Sequence, residues 1–306
     1  MQREEVVLHY QPQVDLRTMS VIGAEALIRW QHPTGGLLPP DDFLPALAHS
    51  TLMPVVTDWV VQTAVRTATE WPSLSVAVNI SATDASRHGL GVAIRDALEA
   101  SGLPPERLTL EVTEHALVGD MEGATRNLGQ LADDGVRVSL DDFGTGYSSL
   151  LYLRELPIHE IKVDALFTSG LGANRDDDAI VAGLVKLGHA IGVRVVAEGV
   201  ETSEQLEALA ALDCDAAQGF LFGRAAERLV LPTLPAPNPP AARPTQHRRR
   251  RGDPIATDEA VELIRALIND GASLHTIAAR LNKDGIRTAQ GTRWVGATVG
   301  RALSQM

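Results

Sequence analysis

Eight short runs rich in β-branched residues, most of them separated by longer stretches of helical spacing, constrain this chain more than any other feature. The runs are VVLHYQ (6–11), VIGAEALIRW (21–30), LSVAVNI (74–80), RLTLEVT (107–113), VRVSLDD (136–142), HEIKVD (159–164), VRVVAEG (193–199) and DAAQGFLF (215–222). Helical spacing fits 54–70, 90–101, 120–134, 177–191 and 202–211, and Gly102, Gly135 and Gly192 sit just past three of those helices, where a left-handed cap residue is expected. Strands alternating with helices specify βαβ units, and eight strands are the number that closes them into a barrel. Only DLRTMS separates the first two runs, too little for a helical crossover, so the first strand is expected to run antiparallel to the second. The expected fold class is α/β: a modified (β/α)8 TIM-type barrel with one antiparallel strand, plus a small all-α C-terminal module.

The boundary between the two parts is legible. Residues 232–244, PTLPAPNPPAARP, carry six prolines and no acid, the composition of an extended linker, and Arg248, Arg249, Arg250 and Arg251 follow it. The expected domains are a barrel over 1–231, a Pro/Arg-rich linker over 232–254 and a helical module over 255–306. Charge divides the same way. From Arg243 onward there are 11 Lys+Arg against 6 Asp+Glu, which leaves −17 on residues 1–242 of a chain whose net charge is −12. An acidic body that handles an anionic substrate needs cations in its site, whereas a basic tail suggests a separate task. No stretch approaches the roughly 18 apolar residues of a membrane span, and MQREEVVLHY lacks the apolar core of a signal peptide. The single cysteine, Cys214, excludes an internal disulfide framework and a thiolate metal cluster. A cytoplasmic protein is expected.

Each run carries a polar residue at or near its end: Gln11, Glu25, Asn79, Glu111, Asp141 with Asp142, Lys162, Glu198 and Gln218. A barrel gathers the C-terminal ends of its parallel strands on one face, where active sites are built. Any single one of these residues is more readily a cap or turn residue than a functional one; the signal is the recurrence of one chemistry from strand to strand. Carboxylates converging there repel one another unless cations neutralise them. All-oxygen donors suit Mg²⁺ or Mn²⁺, and two such ions can clamp the attacking and leaving oxygens of a phosphodiester.

The ordered blocks YQPQVDL (10–16), EALIRWQHP (25–33), VNIS (78–81), EVTE (111–114), DDFGTGYSSL (141–150), IKVD (161–164), AEGVET (197–202) and QGFLFGR (218–224) resemble those of the EAL family of cyclic di-GMP phosphodiesterases, over residues 4 to about 226. The resemblance implies hydrolysis of one ester bond of cyclic di-GMP to give linear pGpG, with two Mg²⁺ or Mn²⁺ ions, and a homodimer. It implies one ion held by Glu25, Asn79, Glu111 and Asp141, and a second by Asp141, Asp142 and Glu198. Lys162 resembles the residue that hydrogen-bonds the attacking water, so Lys162, Glu198 and Asp142 form the implied catalytic set. Arg29 resembles a phosphate-gripping residue; Gln11, Gln218 and Glu201 resemble further pocket positions, with a structural hydrogen bond an equal alternative for Gln218. Glu114 resembles the anchor of the loop containing Gly144, Thr145 and Gly146, its alternative being a helix cap. The chain departs from the family pattern at Ala165, where arginine is usual, at Ala225, where proline is common, and before the first strand, where a helix is usual; a truncated copy that keeps its ligands is expected. An alternative reading is a barrel that only binds the nucleotide and regulates the tail.

In the tail, TDEAVELIRALIND (257–270) reads as a helix capped by Thr257, and Ser273 caps a second, LHTIAARLNKDG. A third fits Gly296 to Leu303. The run SLHTIAARLNKDGIRTAQGTRWVGATVGRAL resembles the helix-turn-helix-like segment of large serine recombinases. Arg280, Lys283, Arg287, Arg293, Arg301 and the arginine run suggest DNA as a partner, the alternative being a solvated helical appendage.

Overall fold

The chain alternates faces along each central strand, and that alternation decides what the helices cover and what the barrel encloses. The computed structural model describes residues 5–48, 50–113, 120–144, 153–232, 257–269, 274–287, 299 and 302–303. Among the described residues nine strands form one sheet: β1 (Val6–Asp15), β2 (Ser20–His32), β3 (Gly36–Leu38), β4 (Ser75–Asn79), β5 (Leu108–Thr113), β6 (Arg137–Phe143), β7 (Glu160–Val163), β8 (Arg194–Ala197) and β9 (Ala216–Gln218). Their order is β1-β9-β8-β7-β6-β5-β4-β2-β3, and a further β1–β2 pairing closes eight of them into a barrel. β1 is antiparallel to both neighbours, β2 and β9, while β2 and β4 through β9 run parallel.

The expected fold class therefore holds for the barrel, with two local differences. β3 is a short antiparallel addition to β2 that the strand count did not include; residues 33–35, Pro-Thr-Gly, supply the turn. The run at 215–222 is a strand only over Ala216–Gln218, because the chain turns at Gly219 to lie against Val200. A Cβ on Gly219 would fall 2.1 Å from the Val200 carbonyl oxygen.

One parity of the strands is apolar. Val76, Val78, Leu108, Leu110, Val112, Val138, Leu140 and Ile161 pack outward in one buried cluster with Val60, Ala64, Ile94, Leu98 and Leu128 of the surrounding helices. The opposite parity, pointing into the barrel, carries Glu111, Asp141 and Lys162, which touch one another. Burial of the apolar parity drives the fold and by geometry turns the charged parity inward. Gly102 and Gly192 end their helices at φ 72° and 73°, and Gly135 follows its helix at φ 103°, as the spacing predicts.

The chain divides into two compact units, Met1–Gln246 and His247–Met306. In the second, helices Asp258–Asn269 and Leu274–Lys283 enclose a small core of Ala260, Ile264, Ile277, Leu281, Val299 and Ala302. The Ala260 N–H donates to the Thr257 hydroxyl, the expected cap. Ser273, Arg293, Arg301 and the linker's arginine run lie outside the described residues. Among the described residues no helix is long and apolar enough to cross a membrane.

Candidate functional site

Lys162 stands at the centre of the barrel mouth. It is 1% exposed, and its Nζ lies 2.6 Å from Glu198 Oε1, 2.8 Å from Glu111 Oε2, 3.4 Å from Asp141 Oδ2 and 3.6 Å from Glu25 Oε2. Glu25, Glu111 and Asp141 come from β2, β5 and β6 and Glu198 from the residue after β8; Asn79 pairs with Glu111, and Thr113 with Asp141. The Glu25 carboxylate is held further by Asn79 Nδ2, which donates to Oε1 at 2.6 Å, and by Gln218 Nε2, which donates to Oε2 at 2.6 Å. Gln218 also donates to Gln11 Oε1, and Gln11 to the Gly223 carbonyl, so a carboxamide relay ties β1, β9 and β2 together.

Asp142 breaks the alternation. In a regular strand its side chain would face away from that of Asp141. The β6–β7 register shifts between Leu140 and Phe143, and Asp142 adopts φ 53°, the left-handed region. Carboxylate oxygens of Asp141, Asp142 and Glu198 consequently lie within 4.8 Å of one another. A left-handed non-glycine residue costs about 1 kcal/mol, and it is spent where acids crowd.

The electrostatics follow from burial. Burial alone would depress the Lys162 pKa, but Asp141, Glu111, Glu198 and Glu25 outweigh it and hold the ammonium well above its ordinary value. Burial pushes Glu198 up to about 8, with Lys162 opposing and Asp141 adding. Burial, then the Asp141 charge and the hydrogen bond with Asp164, raise Asp142 to about 6. Glu111 is raised well above its usual range by burial and by Glu25. At Glu25, burial is outweighed by Lys162 and by the bonds from Gln218 and Asn79, so its pKa falls. Fully ionised, the five acids beside one ammonium would carry four uncompensated negative charges, the complement of two divalent cations. Glu111 Oε1 is buried without a hydrogen-bond partner, an oxygen that a cation would satisfy. The donor set and its charge thus fit hard divalent ions.

Above the cluster opens a cavity of about 270 Å³, walled by Gln11, Glu25 and Leu27 from the β1–β2 side, Asp141, Ala165, Glu198 and Glu201, and Gln218, Gly219 and Phe220. This position, at the C-terminal ends of the parallel strands, is where barrels of this kind carry their chemistry. The EAL domain family model matches residues 1–225. The chain belongs to the EAL domain family. It is 44% identical over 229 residues to the bifunctional diguanylate cyclase/cyclic di-GMP phosphodiesterase MucR of Pseudomonas aeruginosa, covering 73% of this chain and 33% of that one. It is 37% identical over 228 residues to the signaling protein YkoW of Bacillus subtilis, covering 73% and 28%. The chain thus spans about a third of the length of these curated relatives. The solved structure of PaMucR phosphodiesterase in complex with c-di-GMP superposes with a TM-score of 0.70 at 43% identity, covering 76% of this chain and 94% of that one. The EAL domain of Mycobacterium smegmatis DcpA gives 0.62 at 32% identity, covering 74% and 93%.

Within this EAL barrel, Glu25, Glu111, Asp141 and Glu198 converge on the Lys162 ammonium, with Asn79 on Glu25 and Asp142 near Asp141 and Glu198. Gln11, Gln218 and Glu201 reach the cavity wall, Gln11 and Gln218 buried and Glu201 exposed. Arg29 is not part of that wall; it is half-buried, and its Nη1 donates to the neighbouring Ile28 carbonyl at 2.9 Å. Glu114, Thr145 and Gly146 lie outside the described residues.

Sequence reading passed over Phe220. It is 48% exposed in the cavity wall, and the Arg224 guanidinium carbon sits 3.8 Å from its ring centroid. The sequence offers only a large aromatic two residues after Gln218; that Phe220 is exposed while Phe222 is buried is decided by the fold. From the Asp142 conformation we expect Asp142→Gly to raise stability in metal-free buffer by about 1 kcal/mol, by relieving the left-handed backbone and the carboxylate crowding. Urea unfolding reads this; a loss of stability would show that Asp142 is not strained.

Proposed function

We propose that the barrel is a cyclic di-GMP phosphodiesterase dependent on two Mg²⁺ or Mn²⁺ ions, which hydrolyses one ester bond to give linear pGpG. The observation that carries this reading is the gathering of Asp141, Asp142 and Glu198 within 4.8 Å beside Lys162, on the floor of a cavity at the strand ends. The c-di-GMP complex of the similar PaMucR phosphodiesterase supports the substrate. In this reading Glu25, Asn79, Glu111 and Asp141 hold one ion, and Asp141, Asp142 and Glu198 the other. When bound, such ions acidify water and neutralise charge on a phosphodiester.

The remaining work falls to the chain's own residues. Lys162 orients the attacking water and offsets charge that develops on the phosphate. The Gln11–Gln218 relay keeps the Glu25 carboxylate aimed into the cluster. Gln11, Glu201 and Arg29 contribute to substrate binding, Arg29 through the fixed fork of its guanidinium. Phe220 offers a flat face on which a purine can stack, with Arg224 against the ring. A barrel that merely binds nucleotide has no need of the strained Asp142 or of this complement of acids, which favours the enzyme.

For the C-terminal unit we propose a module over 255–306, joined by a linker over 232–254, that contacts DNA. Arg265, Arg280, Lys283 and Arg287 are exposed around its small apolar core, on a segment whose net charge opposes that of the barrel.

Three outcomes are expected. Purified protein converts cyclic di-GMP to pGpG with Mg²⁺ or Mn²⁺ and stops with EDTA, and Glu25→Ala abolishes turnover; bound nucleotide without product would leave only a binding module. Phe220→Ala raises KM about tenfold or more with little change in kcat, since a base–aromatic stack contributes about 1–3 kcal/mol; an unchanged KM would remove the platform. Retardation of duplex DNA weakens as salt rises and disappears when 245–306 are deleted; indifference to the deletion would end the DNA reading.

A further inference from the structure

Glu198 owes its place to one short stretch of chain. It lies one residue beyond β8, where its N–H makes the last bond of the β7–β8 pairing and its carbonyl lies past the ladder. Its Oε1 is 2.6 Å from Lys162 Nζ, and its backbone N–H donates to the Val163 carbonyl at 3.0 Å. Its backbone carbonyl accepts the hydroxyl of Thr168. All three partners fall within residues 162–168, the end of β7 and the single helical turn Ala165–Thr168. Asp164 caps that turn by accepting from the Leu166 N–H, and the same carboxylate shares a hydrogen bond with Asp142.

The next residue, Gly199, has φ 66°, and a Cβ there would fall 2.5 Å from the Ala165 Cβ and 3.5 Å from Thr168 Oγ1. The backbone at 198–199 is thus laid directly on the helical turn. Thr168 is fully buried. A helical threonine commonly satisfies its hydroxyl on a carbonyl one turn back, and Thr168 does reach the Ala165 carbonyl at 3.3 Å. Its bond to Glu198 is the one that leaves the helix. It joins the turn that follows Lys162 and touches Asp142 to the backbone of the third acid in the cluster.

We propose that Thr168 is a positioning residue for the ion cluster, holding the Glu198 backbone so that its carboxylate meets those of Asp141 and Asp142. This rests on the reading of that cluster as a divalent-cation site. A carboxylate one residue past a strand end swings with its own backbone, so removal of the hydroxyl loosens one ligand of the set without altering any ligand's chemistry. Valine keeps the shape of threonine and loses the donor; serine keeps the donor and loses the methyl group.

The test is Mn²⁺ binding to the full chain, by calorimetric titration and by the electron paramagnetic resonance of free Mn²⁺, without nucleotide and at a temperature where each variant is folded by circular dichroism. Thr168→Val is expected to weaken at least one Mn²⁺ site about tenfold or more, the scale of outer partners of metal ligands, and Thr168→Ser to restore it to within about threefold of wild type. Thr168→Ala serves as a second removal variant should valine not fold. Equal Mn²⁺ affinity in wild type and the removal variant overturns the proposal, as does a loss that serine fails to restore, which would mark a purely structural threonine. Wild type that binds no Mn²⁺ overturns the cation reading itself, and the role of Thr168 with it; wild type alone decides that case, so the two failures are distinct.

Discussion

Five carboxylates and a lysine enclosed at the mouth of a barrel are held by mutual attraction and repulsion of a kind that water would largely quench. Lys162 is buried, and its ammonium lies between Glu25, Glu111, Asp141 and Glu198. In a medium of low effective dielectric each contact is stronger than at the surface, and each unpaired charge costs more. Burial first, and then acids that one ammonium cannot balance, push Glu198 up to about 8 and Asp142 to about 6. The site is built for more positive charge than the chain itself supplies.

The rest of the barrel serves that concentration of charge. The apolar parity of the strands buries against the helices, and the opposite parity has nowhere to go but inward. Closure through the antiparallel β1 brings Gln11 and Gln218 beside Glu25, where the Gln218 amide donates to the Glu25 carboxylate and to the Gln11 side-chain oxygen. At the β8 end the loop carrying Glu198 is clasped from two sides. Gly199 lies on Ala165, and the Val200 N–H donates to the Gln218 carbonyl while Gly219 abuts the Val200 backbone. Both glycines stand where a Cβ would collide with an opposing residue. The Glu201 and Thr202 N–H groups are capped by Gln205 Oε1, which ends the loop in a defined helix start. Positions far apart in sequence are thereby fixed to fractions of the distance over which charges interact.

The C-terminal unit follows a different logic. Two short amphipathic helices cannot bury much surface, and its core consists of a few small and aliphatic side chains. Its exposed Arg280 pairs with Asp284, just past the end of the helix, an arrangement that adds little to stability. What distinguishes the unit is its excess of arginine over acid, opposite in sign to the barrel.

Sequence by itself determined the barrel, the antiparallel first strand, the two-part division of charge and the set of polar residues at the strand ends. Those properties are local or periodic: hydrophobic alternation, a six-residue connection too short for a crossover, glycine at helix ends, and recurrence of one chemistry at successive strands. Tertiary structure alone decided the bulge and left-handed Asp142 that turn two adjacent acids to one side, and the placement of Lys162 among four carboxylates. It also decided the early end of β9 at Gln218, the exposure of Phe220 beside the buried Phe222, and the hold of Thr168 on Glu198. None of these has a period or a composition to read, because each depends on contacts between residues distant in the sequence, fixed only when the sheet closes and the helices choose which side of it to cover.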